Sequence, residues 1–515
     1  MRDATMTRPT APRVVLETAG GSPLEPDAVV AALSTRFTVI GGPGRRVRRR
    51  RLDTFDRRLR AAGLTLEHET GAGAERLVLA RTGSTSRDEE PVTQPVTGAR
   101  WPALADAVSA GPVRDLIAPA TGIRAVLVIA DSTRRTRSLE LRNDDGKLVV
   151  RIELDEPAST GADPAHVTVH ALRGYGPQAR RAADLLISLG LRPIEPPADR
   201  APDGGPPPSG GDRNVPATVH LTGVLSGFVA AMRENLPGLL DDVDTEFLHD
   251  FRVALRRTRS TLKLGRPVLP EVMRTRWEPA FKELGDLTTP VRDLDVYLLS
   301  LPTIGGWLVA ADPAELTPLA AHLRHARAIH RRTLVRALRS ASFQRLLTQW
   351  EQALTEVPDA PRDGDQEPTS AGQLASRTIS RAHRIVVRAG AAITAESPAQ
   401  DLHDLRKRCK ELRYALEVFA GVIDEGPRKR AISDLKGLQD VLGRFQDSEV
   451  QRRTLRELAE EMMADGTKAT ALLAMGELIG HLDAEQDRAR EEFDSAFARF
   501  RRRSGTGSQR LGGSA

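Results

Sequence analysis

A single cysteine among 515 residues provides no intramolecular disulfide and no CxxC-type metal site. That residue, Cys409, falls on an apolar helical stripe, the pattern of a small core residue. Aromatic residues make up only 4% of the chain. Few platforms are therefore available for stacking single-stranded nucleic acid. No helix-turn-helix or zinc module is evident, so nucleic acid ranks last among the expected partners. No apolar run reaches the roughly 18 residues that a membrane span needs, so no membrane association is expected. Met1–Pro12 has no apolar segment of the signal-peptide type. The expected location is the cytoplasm. Lysine is scarce as well: 8 of the 75 basic residues are Lys, which leaves 67 Arg. A GC-rich codon bias accounts for most of that excess, so the placement of the arginines carries the information and their number does not.

One placement stands out. His249, Arg252, Arg256 and Arg259 fall at i, i+3, i+7 and i+10, which is one helical face. Leu248, Phe251, Leu255, Thr258 and Leu262 make an apolar stripe about 100° away. Such a helix can bury one stripe and turn the other toward an anion. The device occurs twice. His403, Arg406, Lys410 and Arg413 repeat the basic spacing, and Leu402, Leu405, Cys409, Leu412 and Leu416 repeat the apolar one. The offset is 154 residues, and it carries Lys282 onto Lys436 and Arg292-Asp293-Leu294-Asp295 onto Gln446-Asp447-Ser448-Glu449 without a gap. That register is an internal duplication.

The first 190 residues are strand-rich. Strands are expected at Val14–Leu16, Leu77–Ala80, Val126–Ile129, Ser138–Leu141, Leu148–Ile152 and Val167–Val169, with a hairpin at Asn143–Gly146. Helical pieces are expected at Asp56–Ala62 and Gln178–Leu189, ending at Gly63 and Gly190. Residues 83–100 are expected to be a polar loop. A Pro/Gly/Asp-rich linker follows at 191–216. From Ala217 the pattern is helical, with repeat 1 at 217–356 and repeat 2 at 373–501. Each repeat holds four amphipathic segments; those of the first are near 217–235, 244–265, 271–300 and 313–352. Residues 502–515 are expected to be a disordered tail. The fold class is α+β: a strand-rich tunnel or barrel domain, then an all-α domain of two duplicated four-helix bundles.

Residues 217–501 resemble a CHAD domain, the conserved histidine α-helical domain. The motifs are His249-x-x-Arg252-Val-x-x-Arg256-Arg257-x-Arg259-Ser260, Leu284-Gly285 with Arg292-Asp293-Leu294-Asp295-Val296, and His403-x-x-Arg406-Lys407-x-x-Lys410-x-x-Arg413-Tyr414. The resemblance implies a basic pore or groove that binds inorganic polyphosphate. By position that role falls on His249, Arg252, Arg256, Arg259, Lys282, His403, Arg406, Lys410, Arg413 and Lys436. Polyphosphate granules are one location it implies. Residues 52–66, Leu52-Asp53-Thr54-Phe55-Asp56-Arg57-Arg58-Leu59-Arg60 onward, resemble a segment of the CYTH, or triphosphate-tunnel, family. That family opens on a Glu-x-Glu-x-Lys strand holding metal and triphosphate. Here the strand reads Val14-Val15-Leu16-Glu17-Thr18-Ala19, with one acid and no Lys. Glu67 with Glu69, and Glu153 with Asp155, supply other carboxylates at i, i+2.

The leading expectation is a non-catalytic polyphosphate-binding protein with no cofactor. The alternative is a metal-dependent triphosphatase or polyphosphate-processing activity in the N-terminal domain, where a divalent metal would be required. His249 and His403 read either as neutral hydrogen-bonding groups or as phosphate donors that strengthen when protonated below about pH 6.5. Asp250 and Asp404 are read as helix caps or arginine partners, and the Asp293/Asp295 pair as salt-bridge partners rather than metal ligands. Arg324, Arg327 and Arg331, and Arg381, Arg384 and Arg388, form single stripes of the kind that ordinarily face solvent. The spacing leaves open whether the two repeats share one channel. The oligomeric state is also open.

Overall fold

The computed structural model describes residues 13–18, 23–71, 73–81, 91–158, 164–194, 212–357 and 369–511, with side chains to Arg502. The chain forms two compact units, Met1–Asp203 and Gly204–Ala515.

The first unit runs β1 (Arg13–Glu17), α1 (Pro26–Ser34), β2 (Thr38–Gly41), β3 (Arg45–Thr54), α2 (Arg58–Ala61), β4 (Leu64–Gly71), β5 (Ala74–Arg81), β6 (Val92–Pro95), α3 (Pro112–Thr121), β7 (Val126–Arg142), β8 (Leu148–Pro157), β9 (His166–Ala171), α4 (Gly176–Ser188) and β10 (Arg192–Pro193). The strands make one sheet in the order β10-β1-β9-β8-β7-β3-β4-β5-β6, with β2 also on β7. Every pairing is antiparallel.

Four of the expected strands appear in place, and the remaining two, Val126–Ile129 and Ser138–Leu141, are one continuous β7. The Arg-rich β3 gave no apolar alternation to read. Asp56–Ala62 shortens to the single turn of α2, because Asp53 draws the backbone N–H groups of Thr54 and Leu59 onto its own carboxylate at 2.7 and 2.9 Å. β6 lies inside the stretch expected as a loop. β10 extends the sheet into the expected linker by pairing with Leu16 and Glu17. Most of the remaining linker lies outside the described residues.

The sheet's two faces differ in kind. Leu139, Leu141, Ile152, Leu154, Val167 and Val169 bury one face against α1 and α4. Leu52, Leu66, Leu77 and Leu79 bury the same face further along, against α3. The opposite face carries charge, and the sheet curls around it. In a flat sheet β8 and β5 would lie about 19 Å apart. Yet Arg76 of β5 acts electrostatically on Glu153 of β8, and one guanidinium, that of Arg49, bonds to both β4 and β8. This is the tunnel-like architecture expected.

The second unit comprises α5 (Ala217–Leu240), α6 (Thr245–Gly265), α7 (Glu278–Gly305), α8 (Thr317–Leu338), α9 (Ala341–Thr355), α10 (Ala371–Ala391), α11 (Ala399–Val418), α12 (Glu425–Ala464) and α13 (Ala469–Leu511). Both apolar stripes are buried in full: Leu248, Phe251, Leu255, Thr258 and Leu262 on α6, and Leu402, Leu405, Cys409, Leu412 and Leu416 on α11. Each buried Leu or Phe contributes roughly 1.5–3 kcal/mol over an exposed one, which fixes the roll of both helices. The segment near 313–352 divides into α8 and α9, so repeat 1 has five helices. Ser340 causes the break: its Oγ accepts the Phe343 N–H at 3.2 Å and starts a new helix. α13 runs on into the expected tail. The repeats interlock. Leu301 and Ile304 of α7 and Leu319 and Leu323 of α8 share one core with Leu455 and Met462 of α12 and Met475 and Leu478 of α13.

Candidate polyanion-binding site

The α6 and α11 helices pack against each other, and their contacts come in reciprocal pairs. Arg257 bonds to Glu417 at 3.0 Å, and Lys263 bonds to Glu411 at 2.5 Å. Subtracting the repeat offset, Glu411 is the counterpart of Arg257 and Glu417 that of Lys263. Each contact is therefore the other with the repeats exchanged, the signature of a two-fold relation. The partner numbers fall on α11 as they rise on α6, so the helices are antiparallel.

This arrangement decides whether the basic stripes meet. Arg256 lies over the Tyr414 ring, 6.0 Å from its centre. Lys410 is pushed below its ordinary pKa by desolvation and then by Arg406 and Arg256. Cations of both repeats thus share one surface. In sequence along the antiparallel pair they read His249, Arg252, Arg256, Arg259, Arg413, Lys410, Arg406 and His403. At 1.5 Å per residue the track is about 30 Å long.

The residues differ in how they are held. Arg252 is half-buried and turned toward α7, where it donates to the Gly285 carbonyl at 3.2 Å, to Thr288 Oγ1 at 2.6 Å and to Thr289 Oγ1 at 3.0 Å. Arg406 pairs with the exposed Asp447 at 2.9 Å. Arg413 pairs with Glu417 at 2.9 Å. Arg256 and Arg259 are exposed, with no carboxylate partner among the described residues. Lys282 is exposed on α7 and bonded to Asp286 at 3.0 Å; Lys436 is exposed on α12. Among the described residues no hydrogen bond or ion pair ties either lysine to the α6–α11 seam.

The two histidines are not equivalent. His403 Nδ1 lies 2.5 Å from Gln446 Oε1, so it donates there and leaves Nε2 for another partner. The counterpart of Gln446 is Arg292, which cannot accept a proton. Burial, then Arg292, hold His249 below its ordinary pKa. Arg292 also depresses Arg252 after burial and Arg256. Its place beside both was missing from the sequence expectation, although the duplication register contained it.

Several neighbouring expectations change. Asp244, not Asp250, caps α6 by accepting from Glu246 and Phe247. Asp404 accepts from Lys407 and Gln400 at 3.0 Å on the α11 surface. Arg327 and Arg331 do not face solvent. Arg327 bonds to Asp242 at 2.6 Å and to Asp295 at 2.5 Å, and Arg331 donates to the Leu240 carbonyl at 2.8 Å. They pin the α5–α6 turn, where Asp242 takes the left-handed φ of 56°. Asp295 and Asp447 are salt-bridge partners, as expected. Burial raises the Cys409 thiol to about 12, consistent with a core role.

Residues 223–456 match the family model of the CHAD domain. This segment is a CHAD domain. An uncharacterized protein of Mycobacterium tuberculosis is 28% identical over 265 residues, 49% of this chain and 48% of that protein. The chain therefore spans about half the length of the curated relatives it matches. Among solved structures, the CHAD domain of the plant Ricinus communis is 25% identical, with a TM-score of 0.48, covering 57% of this chain and 94% of that one. A Hippeastrum protein described as showing a dominant triphosphatase activity is 12% identical, with a TM-score of 0.27, over 36% of this chain and 91% of its own.

The charged inner face of the N-terminal sheet does not fit a divalent metal. Arg49 contacts Glu69 at 2.7 Å, Asp155 at 2.5 Å and Glu67 at 3.3 Å. Arg76 takes the other Glu69 oxygen at 2.7 Å, and Arg134 takes the other Asp155 oxygen at 2.5 Å. Oxygens that would coordinate metal are engaged by guanidinium groups. Among the described residues no group of three or more His, Cys, Asp and Glu is placed to hold a metal ion.

Proposed function

We propose that the CHAD domain binds inorganic polyphosphate along the single cationic track that crosses α6 and α11. The reciprocal antiparallel seam carries this reading, because it joins two modest basic stripes into one long one. Polyphosphate is an extended polyanion with a charge on every internal phosphate. A line of spaced guanidinium and ammonium groups suits it better than a compact catalytic centre would. Arg supplies forked donors to phosphate oxygens, and His403, whose Nδ1–H is taken by Gln446, donates from Nε2 at one end only as the imidazolium. The ion pairs of Arg406 with Asp447 and Arg413 with Glu417 are surface pairs worth about 0–1 kcal/mol, so an incoming phosphate exchanges for them at little cost. Granule association is part of the proposal, and a fluorescent fusion scored against a polyphosphate stain tests it.

The decisive experiment is a titration with long-chain polyphosphate, with duplex DNA as competitor, on the native protein and on Arg256→Glu plus Lys410→Glu. Neither side chain carries a structural hydrogen bond in the described contacts, so the variant should melt within about 2 °C of the native protein. Binding should weaken by roughly ten-fold or more. Unchanged affinity in the folded variant, or equal displacement by DNA, refutes the dedicated track.

A further inference from the structure

The arginine-filled inner face of the N-terminal sheet has a consequence separate from polyphosphate binding. Glu67 and Glu69 project from β4, Asp155 from β8 and Arg49 from β3 between them. Side chains at i, i+2 share a strand face, and registered partners share it too. Glu69 stands opposite Arg76, and Asp155 opposite Thr136, so all of these groups face the same concave side. Three carboxylates surround one guanidinium, and two further arginines, Arg76 and Arg134, take the outer oxygens. Glu153, on which Arg49 and Arg76 also act, and Arg51, which acts on Glu67, share this face, so four positive charges meet four negative ones.

A divalent cation placed here would meet two obstacles. Mg²⁺ requires oxygen ligands at about 2.0–2.1 Å in octahedral array, and nitrogen atoms already lie against those oxygens. The ion would also sit among guanidinium groups that already match the acids in number, Glu153 and Arg51 included, with no surplus negative charge to offset it.

We infer that Arg49 is a built-in counter-cation, holding at the centre of the Glu67, Glu69 and Asp155 cluster the place that a divalent metal would otherwise take, so that the N-terminal unit assembles without metal. Burial raises the Glu67 carboxyl, and Arg49 is the largest influence pulling it back. Protonation of Arg49 is favoured by Asp155, Glu67 and Glu69 against the cost of burial. Among the described residues Arg49 is the only group in direct contact with all three acids, so it is a positioning residue for the curled sheet.

The test uses the full-length chain and Mn²⁺ alone as probe, followed by electron paramagnetic resonance and by melting temperature. The native protein should show no saturable Mn²⁺ site that depends on these acids. Arg49→Met keeps the side-chain stem and removes the charge. It should melt lower than native protein near pH 8, recover part of the loss near pH 5 as the acids protonate, and bind Mn²⁺ at least roughly ten-fold tighter, with Mn²⁺ restoring its melting temperature. If Arg49→Met does not fold, Arg49→Lys substitutes, since an ammonium cannot bridge three carboxylates in one plane. Its melting temperature should then rise with Mn²⁺. Two results overturn the inference: a saturable Mn²⁺ site in the native protein that Glu67→Gln plus Glu69→Gln removes, or a folded Arg49 variant indifferent to both Mn²⁺ and pH.

Discussion

Asp295 is 1% exposed, and its charge is tolerated because Arg327 contacts it at 2.5 Å. Arg327→Met would leave that carboxylate buried alone. The expected loss is about 3–5 kcal/mol in urea unfolding, as for other broken buried pairs. Asp295→Asn plus Arg327→Met should recover much of it. His249 shows the opposite economy: burial, then Arg292, disfavours its protonated form. Its folded pKa lies below the unfolded value, so the unfolded chain takes up the proton more readily. The stability it contributes is complete above about pH 6.5 and declines as pH falls through that value. Asp293 and Asp295, whose carboxyls burial raises, act in the reverse sense. The comparison must therefore be differential: His249→Gln should lose less melting temperature than native protein between pH 7.5 and 5.5. An equal loss in both would exclude a contribution from this side chain. At this scale the stripe residues were legible in sequence, but their partners were not. Nothing in the spacing of Arg327 distinguishes a solvated arginine from one joined to Asp242 and Asp295.

Helix contacts depend on residues that leave space. Gly390 of α10 faces the ring of Phe497 on α13 so closely that a Cβ would collide with it. Gly390→Ala is helix-favouring in isolation by about 1 kcal/mol. Here overpacking should outweigh that gain and cost about 1–3 kcal/mol in net stability, measured by thermal or urea unfolding. A stabilised variant would show that Phe497 can move aside freely. The apolar stripes of α6 and α11 were readable because the 3.6-residue period is imposed by the helix itself. The break between α8 and α9 was less so. Ser340 interrupts no hydrophobic pattern, and only its hydrogen bond to Phe343 marks the new start. The Arg-rich β3 was unreadable for a related reason: its inner face packs on charge, not on apolar side chains.

For the whole molecule, the two-fold relation of the repeats determines the length of the cationic track. Most of its cations are exposed or half-buried, so their attraction for a polyanion is screened over about 8–10 Å at 0.10–0.15 M salt. Polyphosphate affinity should fall by roughly ten-fold or more between 50 and 300 mM salt, read by fluorescence anisotropy. Salt-independent binding would point to a small set of buried contacts instead. By itself the sequence determined the change from strands to helices, the duplication and the buried stripes. Those follow from local periodicity and from a register that needs no third dimension. Tertiary structure decided that the stripes meet antiparallel across one seam, that Arg327 and Arg331 are structural, and that Arg49 occupies the centre of the N-terminal acids. Each of these depends on which distant strand or helix lies opposite. That choice is made by packing the apolar faces together, and the charged side chains are then brought to partners that no spacing along the chain encodes.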